Sequence, residues 1–104
     1  MEERKILEEK IIAVIKTIYD PEIPVDIFEL GLIYEIIIDD DFNVVVEMTL
    51  TSPNCPVAES LPKDVEDKIN NVYGVNSAKV KIVFDPPWAR EMISEEAMLD
   101  LGMI

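Results

Sequence analysis

No histidine occurs among the 104 residues. That absence removes imidazole general bases, the serine and cysteine nucleophiles that depend on one, and imidazole metal ligands. Cysteine is nearly missing too: Cys55 is the single one, so no intrachain disulfide framework can form. Basic residues are scarce, 9 against 22 acidic ones, leaving a formal charge of -13. Such a surface repels phosphate backbones and anionic lipid, so neither nucleic acid nor a membrane is expected as a partner. A basic protein, a metal or a cationic ligand suits it better. Long apolar runs are lacking as well. The stretch 32–38 is interrupted by Glu35 and falls far short of a membrane span. The opening Met1-Glu2-Glu3-Arg4-Lys5 is charged where a signal peptide needs an apolar run, so the expected compartment is the cytoplasm.

What is present is enough apolar material for one core. Hydrophobic residues make up 49% of the chain, which fits a single domain over 1–104, with a proline-rich segment and tail at 85–104. Leu7, Ile11, Val14, Ile15 and Ile18 recur at helical spacing and predict an amphipathic helix over 2–19, ended by Asp20 before Pro21. The connector Asp20-Pro21-Glu22-Ile23-Pro24-Val25-Asp26 follows, stiffened by its prolines. After Gly31, Leu32, Tyr34, Ile36 and Ile38 alternate with their neighbours. Beyond the turn Asp39-Asp40-Asp41, Val44, Val46, Met48 and Leu50 alternate again, so the two runs form an antiparallel hairpin with even-numbered residues inward. Val57, Leu61, Val65, Ile69 and Val72 mark a second helix, in which Pro62 either kinks the axis or stands near the true start.

Ala78, Val80, Ile82 and Phe84 make a third strand, with Lys79 and Lys81 on the outer face beside Glu35 and Glu47. A strand, helix, strand passage returns its second strand parallel to the first. The expected architecture is therefore α+β: a two-layer sandwich ordered helix, strand, strand, helix, strand, with a small mixed three-stranded sheet. A short C-terminal helix capped by Ser94 and closed at Gly102 completes it.

This layout brings chemistry to one end of the sheet. Cys55 follows the second strand in Thr51-Ser52-Pro53-Asn54-Cys55-Pro56, the acidic connector precedes the first strand, and Asp85-Pro86-Pro87-Trp88 leaves the third. A lone cysteine is by default a small buried hydrophobe. At the first turn of a helix, however, the dipole and free N–H groups favour thiolate, a soft ligand for iron-sulfur clusters, zinc or copper(I). One thiolate cannot hold a cluster that wants four ligands. A second copy of the chain, a partner protein, a small thiol, or Asp20, Glu22 and Asp26 would have to complete the set. An incomplete site suits transient carriage better than storage. Thr51 and Ser52 read first as backbone caps. Trp88 can cover the site, join a partner groove or plug the core.

With these motifs and Leu30-Gly31-Leu32-Ile33-Tyr34 in the same order, the chain resembles the SufT-like metal-sulfur cluster assembly family over nearly its whole length. The resemblance implies a NifU-like assembly-domain fold and a non-enzymatic role in iron-sulfur protein maturation. It also implies a transiently held cluster, with client proteins and assembly machinery as partners. It places the family's reactive cysteine on Cys55, its acidic motif on Asp20, Pro21 and Glu22, and its hydroxyl pair on Thr51 and Ser52. Asp26, Asn54 and Trp88 are supporting candidates. The alternative is an adaptor that recruits clients without binding metal, including an accessory subunit of a ring-hydroxylating pathway.

Overall fold

The computed structural model describes residues 2–20, 23–51 and 60–102. Helix α1, Glu2–Ile15, turns Leu7, Ile11 and Ile15 into the core at intervals of one turn. It ends four residues before the expected Tyr19. The Thr17 hydroxyl donates to the Val14 carbonyl at 2.6 Å, and the Thr17 and Ile18 amides bond three residues back to Val14 and Ile15. The last turn thereby tightens. The Ile18 carbonyl then accepts from the Ile27 amide at 2.9 Å, so the chain leaves the helix to pair with the far side of the connector.

Strands β1 (Ile33–Ile38), β2 (Asn43–Met48) and β3 (Ser77–Ile82) form a sheet in the order β1-β2-β3. The first pair is antiparallel and the second parallel, in keeping with the expected mixed α+β sandwich. Val44, Val46, Met48 and Ala78 are buried on the even-numbered face, against α1 and α2 (Ser60–Asn70). Pro62 is the third residue of α2. There its missing N–H is one that the first turn of the described helix leaves without an intrahelical partner, in keeping with a place near the start. On the outer face Glu47 stands opposite Lys81, as charge pairing requires, but also opposite Glu35, while Lys79 stands opposite Val45. The third strand stops at Ile82 and leaves Phe84 exposed, not inward as its even number predicts. The reason is that Asp85-Pro86-Pro87 carries the chain out of the ladder.

Beyond β3 come a single 3-10 turn (Arg90–Met92) and helix α3 (Glu95–Asp100). Ser94 caps α3 as expected, its hydroxyl accepting from the Ala97 amide at 3.2 Å. This tail lies across the turn that feeds β1. Gly31 has φ +82, and a Cβ there would fall 2.9 Å from the Met92 Cβ and closer still to its carbonyl oxygen. No other residue fits.

The hairpin turn is closed by Asp39. Its Oδ1 accepts from the amides of Asp41 and Asn43, both at 2.9 Å, and its Oδ2 from the Asn43 side chain. The bonds from Asn43, backbone first and then side chain, lower the Asp39 pKa from its ordinary value.

Three outcomes are expected. Gly31→Ala should destabilise by at least about 2 kcal/mol, from left-handed strain plus collision with the tail. Gly102→Ala (φ +73 with open space around it) should lose only about 1 kcal/mol; urea midpoints at unchanged m-value check both. The folded chain binds a proton at Asp39 less readily than the unfolded chain does. The stabilisation from Asp39 is therefore present above the ordinary aspartate range and is lost as pH falls through the lowered pKa. Asp39→Asn should flatten that acid limb in urea midpoints measured from pH 6 down to pH 3.

Candidate functional site

The connector, the end of β2 and the exit of β3 do converge at one end of the sheet. Tyr19 and Asp26 bridge across the connector, and the Leu32 amide donates to the Ile27 carbonyl at 3.1 Å. On the other side of Leu32, its carbonyl accepts from the Thr49 amide at 2.8 Å. The Val83 amide reaches the Met48 carbonyl at 2.9 Å. From the tail, the Trp88 indole N–H donates to the Leu30 carbonyl at 2.8 Å, and the Tyr34 hydroxyl donates to the Pro86 carbonyl at 2.7 Å.

Each candidate can now be placed. The Asp20 carboxylate is buried and its Oδ1 accepts from the Ile23 amide at 3.0 Å, which folds the connector back on itself. Asp26 spends Oδ2 on the amides of Phe28 and Glu29, at 3.1 and 3.0 Å, so it caps the turn 27–30. Thr51 sits half-buried in a bend just past β2. Trp88 is half-buried and acts as a fastener, since its one polar group is used on Leu30. Glu22, Ser52, Asn54 and Cys55 lie outside the described residues, as does the start of the segment that was to put Cys55 on a helix N-terminus. Among the described residues no group of three or more His, Cys, Asp or Glu side chains could hold a metal ion.

Two features of this end escape a reading by spacing alone. Thr49 is fully buried, and among the described residues its hydroxyl has no hydrogen-bond partner. The tail is tied to the turn 27–31 by long-range bonds: besides Trp88, the Ser94 amide donates to the Glu29 carbonyl and the Ser94 hydroxyl to Glu29 Oε1, both at 2.8 Å. Beside the connector opens a cavity of about 330 Å³, with Lys16, Tyr19, Asp26, Glu29, Glu96 and Asp100 in its walls. Only the capping preference of Ser94 was visible beforehand; its bond to Glu29 spans 65 positions.

A small mixed sheet under two helices, with a connector, a strand end and a tail meeting at its edge, is the architecture of a known class. Residues 8–82 match the family described as iron-sulfur cluster assembly protein, and the chain belongs to that family. It is 48% identical over 97 residues to the Fe-S protein maturation auxiliary factor of Porphyromonas gingivalis, covering 93% of this chain and 92% of the relative. With the Fe-S protein maturation auxiliary factor SufT of Staphylococcus aureus it shares 36% identity over 86 residues, covering 83% of this chain and 98% of the other. A crystallised domain of unknown function from Bacillus anthracis superposes with a TM-score of 0.88 at 39% identity, over 96% of this chain and 95% of that one. The tail that fastens the turn 27–31 thus lies beyond the matched segment.

Thr49→Val keeps shape and removes an unpaired buried hydroxyl. It should therefore be neutral or stabilising by up to about 1 kcal/mol in urea unfolding. A loss above that size would mean that the hydroxyl is in use.

Proposed function

We propose that the chain is a non-enzymatic maturation factor in the cytoplasm, and that Cys55 transiently ligates an iron-sulfur cluster on its way to a client protein. Family membership and the relatives' role as Fe-S protein maturation factors support the reading. The observation that carries it is the convergence at the sheet edge: the strand leading to the only thiol ends where the connector with Asp20 and the tail with Trp88 also arrive. With Asp26 engaged as a cap and Asp20 turned to the Ile23 amide, the described carboxylates serve the shape of this edge. The remaining ligands then come from Glu22 or from outside the chain: the client's own thiolates, a small thiol, or a second copy in a homodimer. The cluster is cargo. A site that supplies one strong ligand releases it readily to a client that supplies more. No helix among the described residues is long and apolar enough to cross a membrane.

The adaptor reading, in which the chain recruits clients through Trp88 without touching metal, sits less well with an indole whose N–H is bound inside the fold. Anaerobic reconstitution with ferrous iron and sulfide separates the two. The parent protein should develop visible thiolate-to-iron absorption, and Cys55→Ala should lose it together with client maturation. Absent absorption in the parent, combined with full client maturation by Cys55→Ala, would leave the adaptor standing.

A further inference from the structure

The opposite end of the sheet carries an apolar groove that the cluster-handling role does not use. Glu3, Ile6, Leu7 and Lys10 form one stripe of α1, since positions three, four and seven apart share a helix face. They face Phe42 from the hairpin turn and Tyr73 from the turn after α2 across a cavity of about 290 Å³. Leu7 belongs to the core, but Ile6 is 52% exposed and Tyr73 90% exposed. Single exposed apolar residues are ordinary on any surface. Two on facing walls of one concavity, with an aromatic between them, make a patch of the kind that marks an interaction site.

Phe42 adds a second observation. It has φ 62, left-handed backbone that costs a residue with a Cβ about 1–2 kcal/mol. Closing the turn does not require this side chain, because Asp39 already holds the amides of Asp41 and Asn43. A glycine or asparagine would adopt the same backbone at less cost. What phenylalanine adds at this position is apolar surface, at the end of the core and in the wall of the groove.

Charge decides the occupant. Asp39, Asp40 and Asp41 immediately precede Phe42 and are exposed. Two nearby cations among the described residues are engaged: Arg4 Nη1 lies 3.1 Å from Asp40, and Lys10 Nζ stands 5.9 Å above the Tyr73 ring. A second copy of this chain would bring another formal charge of -13 to an acidic rim. We propose that the groove docks a basic segment of a partner protein, seating one leucine- or phenylalanine-sized side chain between Ile6, Phe42 and Tyr73. Lysines or arginines flanking that anchor would meet the aspartate turn. Strands of 6 residues separate this end from Leu32 and Thr49, roughly 20 Å. A partner held here leaves the Cys55 end open, and only this last consequence rests on the reading of Cys55.

The test is an amide chemical-shift titration of the full-length protein with three pentapeptides. In the first, leucine stands between two pairs of lysines. In the second serine replaces the leucine, and in the third glutamates replace the lysines. The first should shift the amides of Ile6, Phe42, Tyr73 and Gly74, and the other two should bind at least about tenfold more weakly. Tyr73→Ser and Ile6→Ser change exposed positions; each should weaken the first peptide by about that factor without moving the unfolding midpoint. Cys55→Ala should bind it like the parent, so failure at the groove and failure of the ligand role are separable. Equal binding of the leucine and serine peptides would overturn the proposal, because it would mean diffuse attraction to an acidic surface. Shifts confined to the other end of the sheet, or indifference to Tyr73→Ser, would overturn it too.

Discussion

Strand β2 pairs with both neighbours, antiparallel on one side and parallel on the other, and turns Val44, Val46 and Met48 into a face that excludes water. A slip of one residue would carry all three to solvent and replace them with Val45 and Glu47. The register is therefore fixed by burial, and almost everything else is placed by it. The hairpin must close at Asp39 to Asn43, the parallel return must run through α2, and the far end of β2 must lie against Leu32 and Val83. The candidate site and the groove are the two ends of this one strand.

The alternation of Val44, Val46 and Met48 with Val45 and Glu47 made that register legible beforehand, as did the matching period in β3 and in β1 from Glu35 on, though not the register shift between Ile33 and Glu35. Convergence at one end followed from topology alone, because an antiparallel hairpin and a parallel crossover leave little choice. What stayed hidden depends on partners distant in sequence. Trp88 and Leu30 are 58 positions apart, and Tyr34 and Pro86 are 52 apart, so no local pattern announces either bond. The early end of α1 turns on the Thr17 hydroxyl and on Ile27 capturing the Ile18 carbonyl, both tertiary choices that override a continuing helical stripe. Phe42 was illegible for a different reason: nothing in the letters Asp41-Phe42-Asn43 says that the bulky residue takes the left-handed position.

The acidic connector shows how the chain uses carboxylates. A run of Asp and Glu beside a thiol invites a metal-site interpretation, yet Asp20 and Asp26 each accept from backbone amides within a few residues. Charge here is employed first to hold irregular backbone in a fixed path, where prolines remove donors and no ladder exists.

A three-stranded sheet has two raw edges, and a bare edge invites pairing with another chain. On β3 the outward amides of Ala78 and Val80 are taken by Asn70 Oδ1 at 2.9 Å and Glu66 Oε2 at 3.2 Å, both from α2. The crossover helix thus serves as the edge's missing neighbour, with side chains in place of a fourth strand. Exposed Lys79 and Lys81 stand on the same strand, where an incoming strand would have to desolvate them. Sheet extension is thereby discouraged along β3, and association is left to surfaces whose chemistry can choose a partner.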